Sequence, residues 1–88
     1  MISIVCPFYN EQDVVAAFFG RLIPVLNETQ EEFEIICIND GSSDNTLLGL
    51  LAAQGRYRGV RIVDLSRNYG KEAALTAGLD IARGDAVI

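Results

Sequence analysis

Histidine is absent from this sequence of 88 residues. Its absence removes a Ser-His-Asp or Cys-His catalyst and every His metal ligand. Basic residues are scarce. Seven Lys and Arg stand against twelve Asp and Glu, for a net charge of −5. Sequence-independent nucleic-acid binding needs a basic face to displace counterions, so no nucleic-acid partner is expected. Cysteine is nearly missing too. Cys6 and Cys37 lie in two apolar segments without C-x-x-C spacing, and they read as small buried hydrophobes in a reducing compartment. No apolar run approaches the roughly 20 residues that span a bilayer. Met1 leads straight into a short strand rather than a basic leader. The chain as it stands therefore reads as soluble and cytoplasmic. Repeats, low-complexity segments and linkers are also lacking.

What is present is enough for one small domain, residues 1–88. Half of the residues are hydrophobic, which excludes a disordered chain. A chain of this length buries only roughly 60–65% of its unfolded surface, so its stability is marginal.

Apolar runs and helical periodicities alternate. Residues 2–7 form a continuous apolar strand of the kind buried on both faces of a parallel sheet. Asn10 is placed to cap the next helix, with Asp13 completing a loose capping box. Val15, Phe18 or Phe19, Leu22 and Leu26 recur at helical spacing, and Pro24 is expected to kink or shorten that helix. Residues 27–32 read as a loop, 33–38 as a second strand and 39–44 as its following loop. Leu47, Leu48, Leu50 and Leu51 mark a helix ending near Gly55. Residues 60–65 form a third strand, interrupted by Arg61 and Asp64. Residues 66–70 are a loop, 71–82 an alanine-rich helix ended by Gly84, and 86–88 the start of a fourth strand. The order βαβαβαβ predicts an α/β fold, a doubly wound parallel sheet truncated in its fourth strand. A chain that stops inside a core strand is expected to be a fragment of a longer protein.

Ligands of open α/β sheets bind outside the carboxyl ends of the strands. Three polar segments fall there: Pro7-Phe8-Tyr9-Asn10-Glu11, residues 39–46 (Asn-Asp-Gly-Ser-Ser-Asp-Asn-Thr) and residues 66–75, which begin Ser66-Arg67-Asn68-Tyr69-Gly70-Lys71. Acids, glycine and hydroxyls between a strand and a helix N-terminus suit a polar ligand, and two such strand ends side by side suggest a nucleotide site. The first β-α turn lacks G-x-G-x-x-G, so the dinucleotide fingerprint is missing. Gly70-Lys71 fails as a Walker A motif, because Leu65 and Glu72 stand where that motif needs glycine and Ser or Thr. A phosphorylation receiver is disfavoured as well, since Asn10-Glu11 occupies the place of its acidic pair.

Together with Ala82-Arg83-Gly84-Asp85, these segments resemble the N-terminal half of a family 2 glycosyltransferase of GT-A fold. The likeness is greatest to the polyprenyl-phosphate glycosyltransferases, such as bactoprenol glucosyltransferase and dolichol-phosphate mannose synthase. It covers essentially the whole chain. It implies a Rossmann-like nucleotide-sugar-binding half in which Pro7, Tyr9, Asn10 and Glu11 frame the nucleoside, with Tyr9 beside the base. Asp40 would accept a hydrogen bond from a ring N–H of uracil or guanine. Gly70 would admit the ligand to the backbone, and Lys71 would offset diphosphate charge.

The resemblance further implies an inverting hexose transfer from a UDP- or GDP-sugar to an acceptor, with polyprenyl phosphate the expected one. It implies Mg²⁺ or Mn²⁺, held by a D-x-D motif that would lie beyond Ile88. No catalytic residue and no metal ligand is expected within this chain, and residues 1–88 alone are expected to be inactive. The longer protein would work at the cytoplasmic face of the membrane. One departure is Asn39, where many relatives carry aspartate.

Other readings accompany these. Asp40-Gly41 also fits an ordinary turn, Tyr9 a rim aromatic and Glu11 a favourable charge at a helix start. Ser42, Ser43, Asp44 and Asn45 read as helix caps. Arg67 and Asn68 stand between ligand contact and structure. Asp85 reads as structural, and Glu28, Glu31, Glu32 and Glu34 as a solvated surface. A non-catalytic nucleotide-binding module is the alternative function. A fragment that forms homo-oligomers through its open sheet edge is the third.

Overall fold

Strand-forming and helix-forming runs alternate along the sequence, and the chain folds accordingly. A computed structural model describes residues 1–88. Its elements are β1 (Ile2–Phe8), α1 (Val15–Glu28), β2 (Phe33–Asp40), α2 (Thr46–Arg56), β3 (Val60–Leu65), α3 (Lys71–Ile81) and β4 (Asp85–Val87). All neighbouring strands are parallel, in the order β3-β2-β1-β4. This is the expected doubly wound α/β sheet. β1 has β2 on one side and β4 on the other, so the chain reverses its direction across the sheet there. The crevice above such a switch point is where open sheets take their ligands.

Two apolar layers hold the sheet. On one face, Phe8, Ile35, Cys37 and Val60 pack under Val15, Phe19 and Leu26 of α1 and Leu50 and Ala53 of α2. On the other, Val5, Ile36 and Ile38 pack against Ala74 of α3. The alternation of side chains along a strand decides which residue joins which layer. Small residues let α3 lie close. A Cβ on Gly78 would come within 2.6 Å of Ile38 Cδ1. Cys6 and Cys37 are register partners on adjacent strands, and both are free thiols. Burial, with Cys6 beside it, pushes the Cys37 thiol up to about 12, so it stays protonated and unreactive. No helix is long and apolar enough to cross a membrane.

Several local expectations are corrected. α1 runs unbroken to Glu28 through Pro24. Phe19 and Leu26, on either side of the proline, are both buried in the core, and the carbonyl of Gly20 sits on an exposed turn that water can reach. α1 begins at Val15 with no side-chain cap. Asn10 does not cap it, because Asn10 adopts a left-handed φ of 52° and turns its side chain to another loop. Gly84 does not end α3, which stops at Ile81. A Cβ at Gly84 would instead overlap the carbonyl of Met1.

Glu34 is not on a solvated surface. It is buried in β2, and its carboxylate accepts from Ser3 Oγ at 2.6 Å, Arg61 Nη1 at 2.8 Å and the Arg83 N–H at 2.7 Å.

β2 also continues two residues further than expected, because Asn39 pairs with Asp64 and Asp40 with Leu65 of β3. Asn39 is therefore a buried strand residue. Its Nδ2 donates to Asp64 Oδ1 at 2.9 Å, while its own Oδ1 has no partner. An aspartate at this position would set two carboxylates face to face. Asn39→Asp is expected to lower stability by about 1–2 kcal/mol at pH 7. The deficit should shrink as the pH falls below about 5, where a shared proton restores the hydrogen bond. Urea denaturation at both pH values checks this, and an unchanged midpoint at pH 7 would overturn it.

Candidate functional site

The carboxyl ends of β1 and β2 and the start of α3 meet in one cleft. α3 crosses from β3 towards β4 over the sheet, and that path carries its first turn above the ends of β2 and β1. The cleft is about 470 Å³ and is lined by Pro7, Phe8, Tyr9, Glu11, Asp40, Asn68, Gly70 and Lys71. Six of the seven residues singled out in the sequence thus converge, from segments more than sixty positions apart. Asn10 is the exception.

Asn10 belongs to the bracing between the first two loops. Its Oδ1 accepts from the Ser43 N–H at 2.8 Å, and its own N–H donates to Ser42 Oγ at 3.0 Å. The Glu11 N–H donates to Thr46 Oγ1 at 2.8 Å, and the Asn45 N–H to Gln12 Oε1 at 2.8 Å. Ser42 and Ser43 therefore tie two loops together rather than cap α2. Asn45 is the N-cap residue, but its side chain makes no capping bond. Asp44 alone caps, accepting from the Thr46 N–H at 2.9 Å. The Thr46 hydroxyl, which also donates to it, is the main reason its carboxyl sits below the usual range. This bracing fixes where Glu11 enters the cleft. Thr46, fully buried at the start of α2, ends the polar run noted in the sequence but carries no role of its own there.

Asp40 is the buried acid of the cleft, with 2% of its surface exposed. Its Oδ1 accepts from the Tyr69 N–H at 2.8 Å. Its Oδ2 accepts from the Gly70 N–H and from Asn68 Nδ2, each at 3.1 Å. Asp40 thus organises the β3–α3 loop as well as facing the cavity, and Asn68 is settled as a lining residue that holds Asp40. Gly70 has φ +100° with open space where a side chain would be. An L-residue is strained there, so glycine keeps the cleft wall bare. Arg67 lies outside the cleft, its guanidinium 4.7 Å from the centre of the Tyr69 ring.

The lining carries two acids, Glu11 and Asp40, and one cation, Lys71, at the first position of α3. The free N–H groups of that helix end add a partial positive field. A cation and a helix N-terminus suit an anion, and the buried carboxylate of Asp40, held against the entry to that helix, suits a ligand N–H. A ligand with both features spans the site. No three His, Cys, Asp or Glu side chains converge as metal ligands, so the residues present do not make a divalent-metal centre by themselves.

Comparison with known proteins places the chain in a family. A family model described as glycosyl transferase family 2 matches residues 3–88. The glycosyltransferase sll0501 of Synechocystis sp. is 52% identical over 87 residues, which are 99% of this chain and 27% of that protein. The undecaprenyl-phosphate 4-deoxy-4-formamido-L-arabinose transferase of Pseudomonas fluorescens is 42% identical over 89 residues, 99% of this chain and 26% of that one. Among solved structures, a mannosyltransferase from Pyrobaculum calidifontis, in complex with GDP-Man and Mn²⁺, superposes with a TM-score of 0.73. It is 19% identical and is covered over 24% of its length by 94% of this chain; at that identity the likeness speaks for the GT-A fold alone. The chain spans about a quarter of the length of these proteins. Its parallel sheet, the cleft at its switch point and the match over nearly every residue lead to one assignment: the chain belongs to glycosyl transferase family 2.

Proposed function

We propose that residues 1–88 are the nucleotide-sugar-binding half of an inverting glycosyltransferase. The donor is a UDP- or GDP-hexose and the acceptor a polyprenyl phosphate at the cytoplasmic face of the membrane. The observation that carries this reading is the convergence of Pro7, Tyr9, Glu11, Asp40, Gly70 and Lys71 on one cleft. Tyr9 offers a half-exposed ring to a base, Asp40 accepts a ring N–H, and Lys71 with the start of α3 holds the diphosphate. Asn10 supports the site indirectly, by bracing the loop that carries Glu11.

In the reaction, an acceptor oxygen forms a bond to the anomeric carbon as the bond to the nucleoside diphosphate breaks, with inversion. The contribution of these residues is to hold the leaving nucleotide in place. A divalent cation on the diphosphate, Mg²⁺ or Mn²⁺, belongs to this reading. Its ligands would come from a D-x-D motif beyond Ile88, as the resemblance implies. The outer edges of β3 and β4 are unpaired, which leaves room for copies to associate.

The test is sugar transfer. The full-length protein, given a radiolabelled UDP- or GDP-hexose and polyprenyl phosphate, is expected to form a lipid-linked product, whereas residues 1–88 alone form none. Failure with every donor, or turnover by the short chain, overturns the corresponding half of the proposal. Lys71→Ala is expected to weaken nucleoside-diphosphate binding about tenfold, the loss of one charge-assisted contact. Calorimetry reads it, and unchanged affinity would remove Lys71 from the diphosphate site.

A further inference from the structure

The donors already bound to Asp40 limit which base the cleft can read. An ionised carboxylate offers about four lone-pair positions, two on each oxygen. The chain's own groups fill three of them: the Gly70 N–H and Asn68 Nδ2 on Oδ2, and the Tyr69 N–H on Oδ1. Two of these donors are backbone groups at the entry to α3 and cannot rotate away. One position, on Oδ1, is left for a ligand.

We infer that the cleft selects a base presenting a single ring N–H, a uracil-type imide, over guanine and cytosine. The inference rests on the reading above that a nucleoside diphosphate binds with its base against Asp40. Guanine presents two adjacent donors, its ring N1–H and its exocyclic amino group, which together need a free position on each carboxylate oxygen. Oδ2 is filled by the Gly70 N–H and Asn68 Nδ2, so the second guanine donor must either displace the Asn68 amide, which then loses its own acceptor, or be buried without a partner. Cytosine carries no ring N–H at the corresponding atom and would set a lone pair against the carboxylate. Uracil has one N–H between two carbonyls and matches the single vacancy. An unpaired donor buried at the site is worth roughly a ten- to hundredfold loss of affinity.

Calorimetry on the full-length protein with UDP, GDP, CDP and N3-methyl-UDP tests this. The methylated nucleotide deletes the one N–H without touching the protein, so the test does not depend on a variant that folds. UDP is expected to bind at least tenfold more tightly than each of the other three. Equal or tighter binding of GDP, or undiminished binding of N3-methyl-UDP, overturns the base selection and leaves the nucleotide site standing. Binding of none of the four overturns the nucleotide reading itself, and the inference with it.

Discussion

Glu34→Gln is expected to lower the stability of this fold by about 3 kcal/mol at pH 7, and the deficit should fade in acid. Burial alone would push the Glu34 carboxyl up. The hydrogen bonds from Ser3, the Arg83 N–H and Arg61, with the charge of Arg61, outweigh burial and hold it at about 2, against an ordinary value of 4.5. At about 1.4 kcal/mol per pH unit, that depression corresponds to about 3 kcal/mol of stability carried by the charged form. Because the folded value lies below the unfolded one, the contribution is fully present above pH 4.5 and is lost as the pH falls towards 2.

The cluster joins distant parts of the chain. Ser3 lies on β1 and also accepts from the Gly84 N–H at 2.9 Å, while Arg61 on β3 donates to the carbonyl of Ile81 at 2.9 Å as well. Glutamine keeps the shape and loses the charge. Urea denaturation of both proteins at pH 7 and pH 3 measures the effect. Equal stabilities at pH 7, or a gap that does not narrow in acid, would contradict it.

Gly41→Ala is expected to disable the cleft while leaving the sheet formed. Gly41 follows Asp40 with φ +66°, and a Cβ there would overlap the carbonyl carbon of Arg67 and the nitrogen of Asn68. Both clashing atoms are backbone, so the β3–α3 loop must retreat. Retreat breaks the bonds from Asn68, Tyr69 and Gly70 to Asp40. Left-handed strain and the lost contacts together should remove about 2–4 kcal/mol of stability. Nucleoside-diphosphate affinity should fall at least tenfold, since Gly70 and Lys71 move with the loop. Gly70→Ala is the comparison, since it is strained but meets open space. Far-UV circular dichroism and calorimetry separate the two effects. Wild-type affinity in Gly41→Ala would show that the loop's position does not matter.

Much of the architecture is legible in the sequence. Each strand of a parallel sheet is a short apolar run, and each helix repeats its apolar residues every three or four positions. Both signals lie within about ten neighbouring residues. The strand-end segments were legible for the same reason, as polar residues placed between an apolar run and a helix. Long-range partners are not legible in this way. Pro24 does not shorten its helix, because burial on both sides of it is a tertiary fact. Sequence proximity groups Glu34 with Glu28, Glu31 and Glu32, although it sits inside an apolar strand and Arg61 interrupts the neighbouring one. Asn10 looked like a local cap, but its partner Ser43 is 33 residues away.

The sequence by itself determined the element order, the parallel sheet, the edge on which a ligand would sit and most of the residues that line the cleft, because periodicity and turn chemistry are local. Only the tertiary structure decided the partner of each polar side chain. Asp40 meets residues 28 to 30 positions away, and Ser3 meets Gly84 across 81. Those pairings depend on strand register and on the path of α3 over the sheet, and no local pattern of residues encodes a register. The same pairings decide which positions on the Asp40 carboxylate the chain itself fills.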